Sequence, residues 1–331
     1  AGIRRDAVGV HRAPASCEDR LPRRVHRLPR RIGHDGARQA VEQLRDARRV
    51  LLGAERSFDA TFEGVVIFLD AFAAEFFLFA VLLIAVLLRE RTDIKRVLLS
   101  AVIAAVHGII LVASRDLGAA LIFFVSYLMM LYVATKQKAY LFIGLIVGFF
   151  ACIAAYYLFA HVRVRVQTWL HPFADFYGKG NQIGNSLFGI GTGGWFGQGL
   201  YKGQPSKTPE VIMDCIFTAV CEELGGIIGI CLILICIACL LMFIAVAAEL
   251  YLPFYKLIGI GLTAIYGTQV FLTIGGGIKF IPLTGVTLPL VSYGGSSVLS
   301  TFIIFGIMQE LYIKRQNEVE RLERIKERVH Y

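Results

Sequence analysis

The sequence lacks the spacings of histidine and cysteine that metal sites require. It contains seven cysteines and seven histidines, but Cys215 and Cys221 have no histidine at ligand spacing, and His107 and His161 stand alone. Five of the cysteines lie in or beside apolar runs, where cysteine behaves as a small hydrophobic residue. The sequence therefore predicts neither a metal cage nor a recognisable disulfide framework.

The hydrophobic runs also lack the alternation of polar and apolar residues that marks the strands of a membrane β-barrel. The chain is 56% hydrophobic with a mean hydropathy of +0.63, above the usual range of soluble domains. Since only helices or closed barrels satisfy their backbone in lipid, we predict an all-α, polytopic integral membrane protein with about seven transmembrane helices. Seven runs are long enough to cross a bilayer, and they lie at 64–88, 97–114, 117–134, 139–160, 226–248, 255–277 and 296–313.

Lysine is missing from residues 1–56, which contain 14 arginines, whereas the rest of the chain contains 10 arginines and 10 lysines. Basic segments can bind nucleic acid or anionic lipid, but the abrupt change favours another interpretation. We expect residues 1–60 to be a disordered segment or the product of a shifted reading frame, and we expect no nucleic-acid partner.

The basic residues between the predicted spans give the orientation in the membrane. Residues 314–331 are charged and mixed in sign, and we interpret them as a cytoplasmic helix. The positive-inside rule then places 89–96 and 136–138 in the cytoplasm. The loops 161–225 and 278–295 fall on the outer face, as does the arginine-rich head, which breaks the rule.

The outer loop 161–225 concentrates glycine and acidic residues, which favours chemistry at the membrane surface over simple spanning. Pro209 is suited to the first position of a helix. Glu210 would then lie in the first turn, with Asp214 on the same face. Where the helix becomes apolar, Asp214 would have a raised pKa and could act as a base. A solvated acid near a helix start is the equally open alternative.

The glycine run 189–199 does not end in the Gly-Lys-Ser/Thr of a P-loop, so a phosphate cradle and a tight turn both stay open. Four basic residues, Arg163, Arg165, Lys202 and Lys207, could bind a diphosphate, but each alone fits a headgroup-facing anchor better. Glu222 and Glu223 fit interfacial helix charges better than a site. The segment 282–297, rich in proline and glycine, must be buried in protein or line a wet cavity, which suggests one outer cavity shared with the long loop.

Five stretches in this order resemble the SEDS family of FtsW, RodA and their sporulation relatives, from about residue 70 to 313. They are Asp116–Leu121; Arg165-Val166 with Pro172, Asp175, Gly178, Gly180 and Gln182; Ser186–Gly199; Pro209-Glu210 with Asp214, Ile216-Phe217 and Glu222–Gly225; and Pro282–Gly285 with Leu288-Pro289 and Ser292–Ser296. The chain departs from the family pattern at Met213, where a threonine is usual, and at Asn181, where a tyrosine is usual. A Gln-Pro-Ser-Glu motif survives only as Ala73–Phe76.

The resemblance implies a ten-helix membrane glycosyltransferase that polymerises lipid II into peptidoglycan strands for elongation, division or sporulation. The seven spans would be helices four to ten, within a membrane domain at 61–313. Asp214 would be the general base toward the acceptor sugar hydroxyl, and undecaprenyl diphosphate would leave. Residues expected to bind substrate are Arg165, Lys202, Lys207, Glu210, Asp175, Gln182, Ser292 and Tyr293.

The resemblance also implies partners: lipid II, the nascent lipid-linked glycan, a class B penicillin-binding protein and membrane lipids. A divalent cation, Mg²⁺ or Mn²⁺, could shield the diphosphate. The other functional class is a lipid II flippase, which should carry charges near the middle of the bilayer. The predicted spans are nearly free of such charges, so the sequence favours the enzyme.

Overall fold

The computed structural model describes residues 81, 83–86, 88, 93–113 and 116–329. The chain divides into two compact units, 1–64 and 65–331, and every described residue belongs to the second. The arginine-rich segment 1–60 and most of the first predicted span, 64–88, lie outside the described residues. Of residues 61–313, which are expected to form the membrane domain, the structure therefore describes those from residue 81 onward, with gaps before residue 116.

The described part of the chain is helical and contains no strand. The helices, numbered here in chain order, are α1 (Ile94–Ala113), α2 (Leu117–Thr135), α3 (Lys138–Leu158), α4 (Ala160–Leu170), α5 (Asn181–Gly193), α6 (Ile216–Leu224), α7 (Gly226–Glu249), α8 (Pro253–Gly277) and α9 (Gly295–Val329). A short 3₁₀ turn, Pro205–Lys207, lies between α5 and α6.

Six of these helices are long and apolar enough to cross a membrane, and they confirm the predicted fold class. They are α1, α2, α3, α7, α8 and the part of α9 that ends at Arg321. Their bounds agree with the predicted runs to within a few residues, because unbroken apolar sequence of this length satisfies its backbone only as helix. The exception is α9, which continues without a break from the last span through the charged tail.

Helix α8 forms the centre of the bundle, since it is the most buried of the described spans. It packs against α2 and α7, and glycines allow the close approach. A side chain at Gly261 would meet the sulfur of Met130, and one at Gly259 would meet Ala247. Ser126 of α2 donates a hydrogen bond of 3.1 Å to the carbonyl of Gly261, which fixes the two helices in register.

The two ends of the bundle are marked by different polar contacts. At one end, Lys314 lies 3.8 Å from the centre of the Tyr255 ring, and Arg315 pairs with Glu249. Lys136 lies at the same end, because it caps the C-terminus of α2. At the opposite end, Asp116 caps the start of α2 by accepting a 2.8 Å hydrogen bond from the backbone N–H of Ala119.

The region 161–225 differs from the predicted long polar loop, because most of it folds as α4, α5 and α6. The predicted helix start at Pro209 is wrong, since residues 209–215 form turns and α6 begins at Ile216. Glu210 adopts a left-handed backbone with φ of 52°, which a right-handed helix excludes. Glu210 and Asp214 therefore do not share a helix face.

Helices α5 and α6 pack with almost no space between their backbones. Gly193, the last residue of α5, lies against the backbone of α6, and a methyl group there would collide with the carbonyl oxygen of Cys221. Gly191, two residues earlier, has open space where a methyl group would point.

We expect Gly193→Ala to destabilise the protein by about 1–3 kcal/mol, because one of the two backbones must shift to admit the methyl group. Gly191→Ala is the matched control, and it should leave stability unchanged or slightly raised, since alanine favours helix. Thermal unfolding of both variants in detergent measures the difference. Equal melting temperatures would contradict the close packing of the two helices.

Candidate functional site

An open cleft with about 430 Å³ of empty space lies at the end of the bundle that carries α4, α5 and α6. Its lining comes from α4, from α5 and the turn before it, from the turn before α6, and from the segment after α8. The lining residues are Val164, Arg165, Thr168, Lys179, Gln182, Ile183, Asp214, Leu283 and Gly285. They combine one carboxylate with two cations and an amide, so the cleft suits an anionic ligand that carries a proton to remove.

Asp214 is the carboxylate, and it is 7% exposed. The side-chain amide of Gln182 donates a 2.9 Å hydrogen bond to its Oδ1. Burial raises the pKa of Asp214, while hydrogen bonds from Gln182 and Cys215 act in the opposite direction and the charge of Glu210 adds a smaller rise. A carboxylate whose charge is disfavoured in this way accepts a proton more readily than an ordinary aspartate.

The thiol of Cys215 lies beside this carboxylate and is 1% exposed. Burial and the negative charge of Asp214 raise the pKa of Cys215 to about 12. The thiol therefore keeps its proton at neutral pH, and it is a hydrogen-bond donor to Asp214 rather than a nucleophile. Gln182 and Cys215 together hold the carboxylate in one orientation.

The turn that carries Asp214 is fixed from behind by the segment after α8. Ser292 is 4% exposed; its hydroxyl donates a 2.5 Å hydrogen bond to the carbonyl of Met213 and accepts one of 2.8 Å from the N–H of Leu288. The backbone N–H of Tyr293 donates to the carbonyl of Ile212 at 2.8 Å. Ser292 and Tyr293 thus position Asp214 through its neighbours and do not line the cleft.

Arg165 is held in the cleft by the same segment. Its Nη1 donates a 2.7 Å hydrogen bond to the carbonyl of Thr284, and Trp169, one turn later on α4, donates to the carbonyl of Lys279 at 3.0 Å. Gly285, beside the guanidinium, has a φ of +80°, a backbone that disfavours any side chain there. The guanidinium is therefore fixed before any ligand arrives.

The remaining predicted site residues lie outside the lining of the cleft. Glu210 is exposed and acts on Asp214 only through its charge. Asp175 is exposed and accepts a 3.2 Å hydrogen bond from the backbone N–H of Lys179, so it shapes the turn before α5. Lys202 and Lys207 are exposed, and neither of them lines the cleft.

Lys179 is a lining residue that the sequence analysis missed. It lies in the turn before α5, three residues ahead of Gln182, and only this turn aims it at the cleft. A lysine in a glycine-rich turn gives no sequence signal of its own. The one sequence feature that could have indicated Lys179 is its position between Asp175 and Gln182, which both belong to a family motif.

Glu222 was expected as an interfacial helix charge, and this expectation is wrong. It is 6% exposed, and its Oε1 accepts a 2.7 Å hydrogen bond from the backbone N–H of Gln204. Close by, the hydroxyls of Ser186 and Thr218 lie 2.5 Å apart, and Ser186 also donates to the carbonyl of Gly277 at 2.8 Å. These contacts join α5, α6, the glycine-rich loop and the end of α8.

The donor groups of the cleft do not fit a divalent cation held by the protein. Asp214 is the only carboxylate among the lining residues, and three His, Cys, Asp or Glu side chains do not come together anywhere in the described ranges. Arg165 and Lys179, the two charged groups that line the cleft beside Asp214, cannot ligate Mg²⁺, which requires oxygen ligands.

Residues 71–317 match the protein-family model of the cell cycle proteins FtsW, RodA and SpoVE. The peptidoglycan glycosyltransferase RodA of Mycobacterium tuberculosis is 41% identical over 203 residues, which cover 61% of this chain and 43% of that protein. A probable peptidoglycan glycosyltransferase FtsW of Aeromonas salmonicida is 36% identical over 211 residues, 61% of this chain and 53% of that one. The chain thus spans about half the length of these relatives.

Two solved structures resemble the fold. A chain in a peptidoglycan synthase complex that coordinates polymerization and crosslinking superposes with a TM-score of 0.61 at 25% identity, covering 73% of this chain and 69% of that one. The rod shape determining protein RodA of Thermus thermophilus, solved as an aspartate-to-alanine mutant, gives 0.51 at 22% identity over 73% and 66% of the two chains. The second likeness supports the fold alone.

We expect Ser292→Ala to destabilise the protein by about 1–3 kcal/mol, because the N–H of Leu288 and the carbonyl of Met213 lose a buried partner. Ser206, an exposed serine of the 3₁₀ turn, provides the matched control Ser206→Ala, which should have no effect. Thermal unfolding in detergent compares the two. A Ser292→Ala variant as stable as the control would show that this hydroxyl does not hold the turn.

Proposed function

The chain belongs to the cell cycle protein family of FtsW, RodA and SpoVE, and we propose that it is a peptidoglycan glycosyltransferase. In this proposal it polymerises lipid II into glycan strands at the outer face of the cytoplasmic membrane, for elongation, division or sporulation. The relatives named as peptidoglycan glycosyltransferases support the activity, and the six candidate spans make it a multi-pass membrane protein.

One observation carries the proposal: a buried carboxylate with a raised pKa lines the same open cleft as two basic side chains. Asp214 supplies the carboxylate, and Arg165 and Lys179 supply the cations. Growth of a glycan from a lipid diphosphate needs both elements, a base for the acceptor hydroxyl and positive charge for the departing diphosphate.

The proposed reaction follows from these roles. The acceptor hydroxyl oxygen attacks the anomeric carbon of the lipid-linked donor, and its proton passes to the carboxylate of Asp214. The bond between the anomeric carbon and the diphosphate oxygen breaks, and its electron pair leaves with the lipid diphosphate. Arg165 and Lys179 stabilise the charge that develops there, and Gln182 keeps the carboxylate aimed at the hydroxyl.

The basic residues of the short connection and of the tail support an outward-facing cleft, because the positive-inside rule applies to short loops and to residues near the ends of spans. Lys136, Lys314 and Arg315 lie at the end opposite the cleft, and basic residues favour the cytoplasmic side. The cleft would then open toward the periplasm or cell exterior, where lipid-linked glycan is elongated. The tail 314–331 would be cytoplasmic.

A class B penicillin-binding protein is the proposed partner, which would cross-link the strands. The likeness to a chain of a peptidoglycan synthase complex supports such a partner. Because the chain spans about half the length of its relatives, the activity of the polypeptide itself is also part of the proposal. Reconstitution of the chain as it stands in liposomes with labelled lipid II is the direct test.

We expect Asp214→Asn to lower the rate of polymerisation in these liposomes by about 10²–10⁴-fold, the usual contribution of a general base. Asparagine keeps the size of the side chain but cannot take the proton. Glu320→Gln, which removes an exposed carboxylate on the distal part of α9, is the matched control and should retain full activity. The amount of labelled polymer formed over time, resolved on a gel, measures this rate.

Two outcomes would contradict the proposal. Full activity of a folded Asp214→Asn variant would remove Asp214 from the reaction. If labelled lipid II crosses the bilayer equally fast with wild type and with Asp214→Asn, and no variant makes polymer, the protein is a flippase instead.

The pH dependence should move in opposite directions in two variants. Activity needs the charged form of Asp214, so it is lost as pH falls through the raised pKa of this carboxylate. Gln182→Leu removes a hydrogen bond that lowers this pKa, and Glu210→Gln removes a charge that raises it. The acid limb of the pH–rate profile should therefore shift to higher pH in Gln182→Leu and to lower pH in Glu210→Gln.

Profiles of initial polymerisation rate, measured side by side in one buffer series, check these two shifts. The position of the acid limb is the readout, because the height of the profile also responds to substrate binding. An acid limb that stays in place in both variants would assign the titration to another group.

A further inference from the structure

The loop between α5 and α6 displays large apolar side chains on a backbone that is fixed. Residues 194–202, here named the aromatic loop, contain Trp195, Phe196, Leu200 and Tyr201, with exposed fractions of 67%, 86%, 62% and 95%. These four residues lie outside the six candidate spans, and a contiguous exposed apolar patch outside a span marks a site of interaction. The cleft does not include any of them, so the proposed reaction does not account for them.

The backbone of the aromatic loop is held by hydrogen bonds on both sides. The N–H groups of Gln198 and Gly199 donate to the carbonyls of Glu222 and Glu223 at 2.9 and 3.0 Å. Gly197 and Gly199 have φ of +77° and +99°, and a side chain at Gly197 would collide with the carbonyl of Glu223. The backbone of the loop is therefore fixed, and it holds the four apolar side chains in exposed positions. A simple connection between α5 and α6 would not need such a fixed backbone.

Hydrogen bonds also set the depth of the aromatic loop relative to the membrane. The N–H of Gly226 donates to the carbonyl of Gly194 at 2.8 Å, and that of Ile227 donates to the carbonyl of Trp195 at 3.3 Å. Gly226 and Ile227 open α7, the most apolar of the six candidate spans. The loop thus lies beside the first residues of a helix that is long and apolar enough to cross a membrane, and the end of such a helix is where hydrocarbon gives way to headgroups.

The charge of this region points to an anionic lipid surface. Residues 194–207 contain Lys202 and Lys207 and no acidic residue, and both lysines are exposed. Tryptophan and tyrosine prefer the membrane–water interface, and lysines at that level attract anionic headgroups. A protein partner would need an apolar surface with acidic groups beside it. The membrane interface already supplies both, as acyl chains and anionic headgroups.

We propose that the aromatic loop is a membrane-interface anchor, in which Trp195, Phe196, Leu200 and Tyr201 enter the headgroup region and Lys202 and Lys207 bind anionic lipid headgroups. The anchor holds the α5–α6 unit at the bilayer surface, independently of the reaction proposed for the cleft. Lys202 and Lys207 thereby take a role different from substrate binding.

The two tryptophans of the chain allow a direct test. In Trp169→Phe, Trp195 is the only tryptophan, and its fluorescence in proteoliposomes reports its surroundings. We expect lipids brominated close to the headgroup to quench it about twofold more than lipids brominated near the methyl end, as for interfacial aromatics. Aqueous iodide should quench it weakly. Should Trp169→Phe fold poorly, the difference between wild type and Trp195→Phe gives the same signal.

The charge of the lipid supplies the second arm. Quenching by brominated phosphatidylglycerol should exceed that by brominated phosphatidylcholine, and the excess should disappear in Lys202→Gln/Lys207→Gln. Strong iodide quenching with no effect of either bromolipid would overturn the anchor. Iodide quenching that is lost only when a purified penicillin-binding protein is added would assign the loop to a protein partner and equally overturn it.

Discussion

The hydrogen bonds between the segment after α8 and the turn before α6 are the constraint on which the site depends. The turn 209–215 is not part of a helix, because Glu210 adopts a left-handed backbone conformation. Ser292 and Tyr293 supply the missing support at residues 212 and 213. The same segment holds Arg165 through Thr284, so the carboxylate and the guanidinium are fixed by one piece of chain.

Irregular backbone beside a membrane is tolerated only where protein or water satisfies its polar groups. This chain meets that demand by pairing two irregular stretches, 209–215 and 278–294, with each other. Helix α4 and the central helix α8 hold the second stretch through Trp169 and Thr273, which donate to the carbonyls of Lys279 and Val286. The electrostatics follow, since a turn enclosed this way buries Asp214 and raises its pKa.

Six of the seven predicted spans correspond to helices whose bounds agree to within a few residues, apart from the end of α9, because hydropathy and length largely determine them. The first predicted span, 64–88, lies mostly outside the described residues. The predicted cleft residues Arg165, Gln182 and Asp214 do come together, and the motifs that identified them lie far apart in sequence. Lys179 and the buried state of Glu222 could not be predicted, since both depend on how turns without periodicity fold. The prediction of a helix starting at Pro209 was wrong, because the left-handed backbone of Glu210 cannot be recognised from hydrophobic periodicity.

Helix α9 gives the bundle a continuous rod. It runs through 35 residues from Gly295 to Val329, a length of about 52 Å at the rise of an α-helix, and it starts three residues after Ser292. A rigid rod of this kind works as a lever. It joins the charged tail without a break to the stretch that holds the Asp214 turn, so a tilt of the tail would be transmitted to that turn.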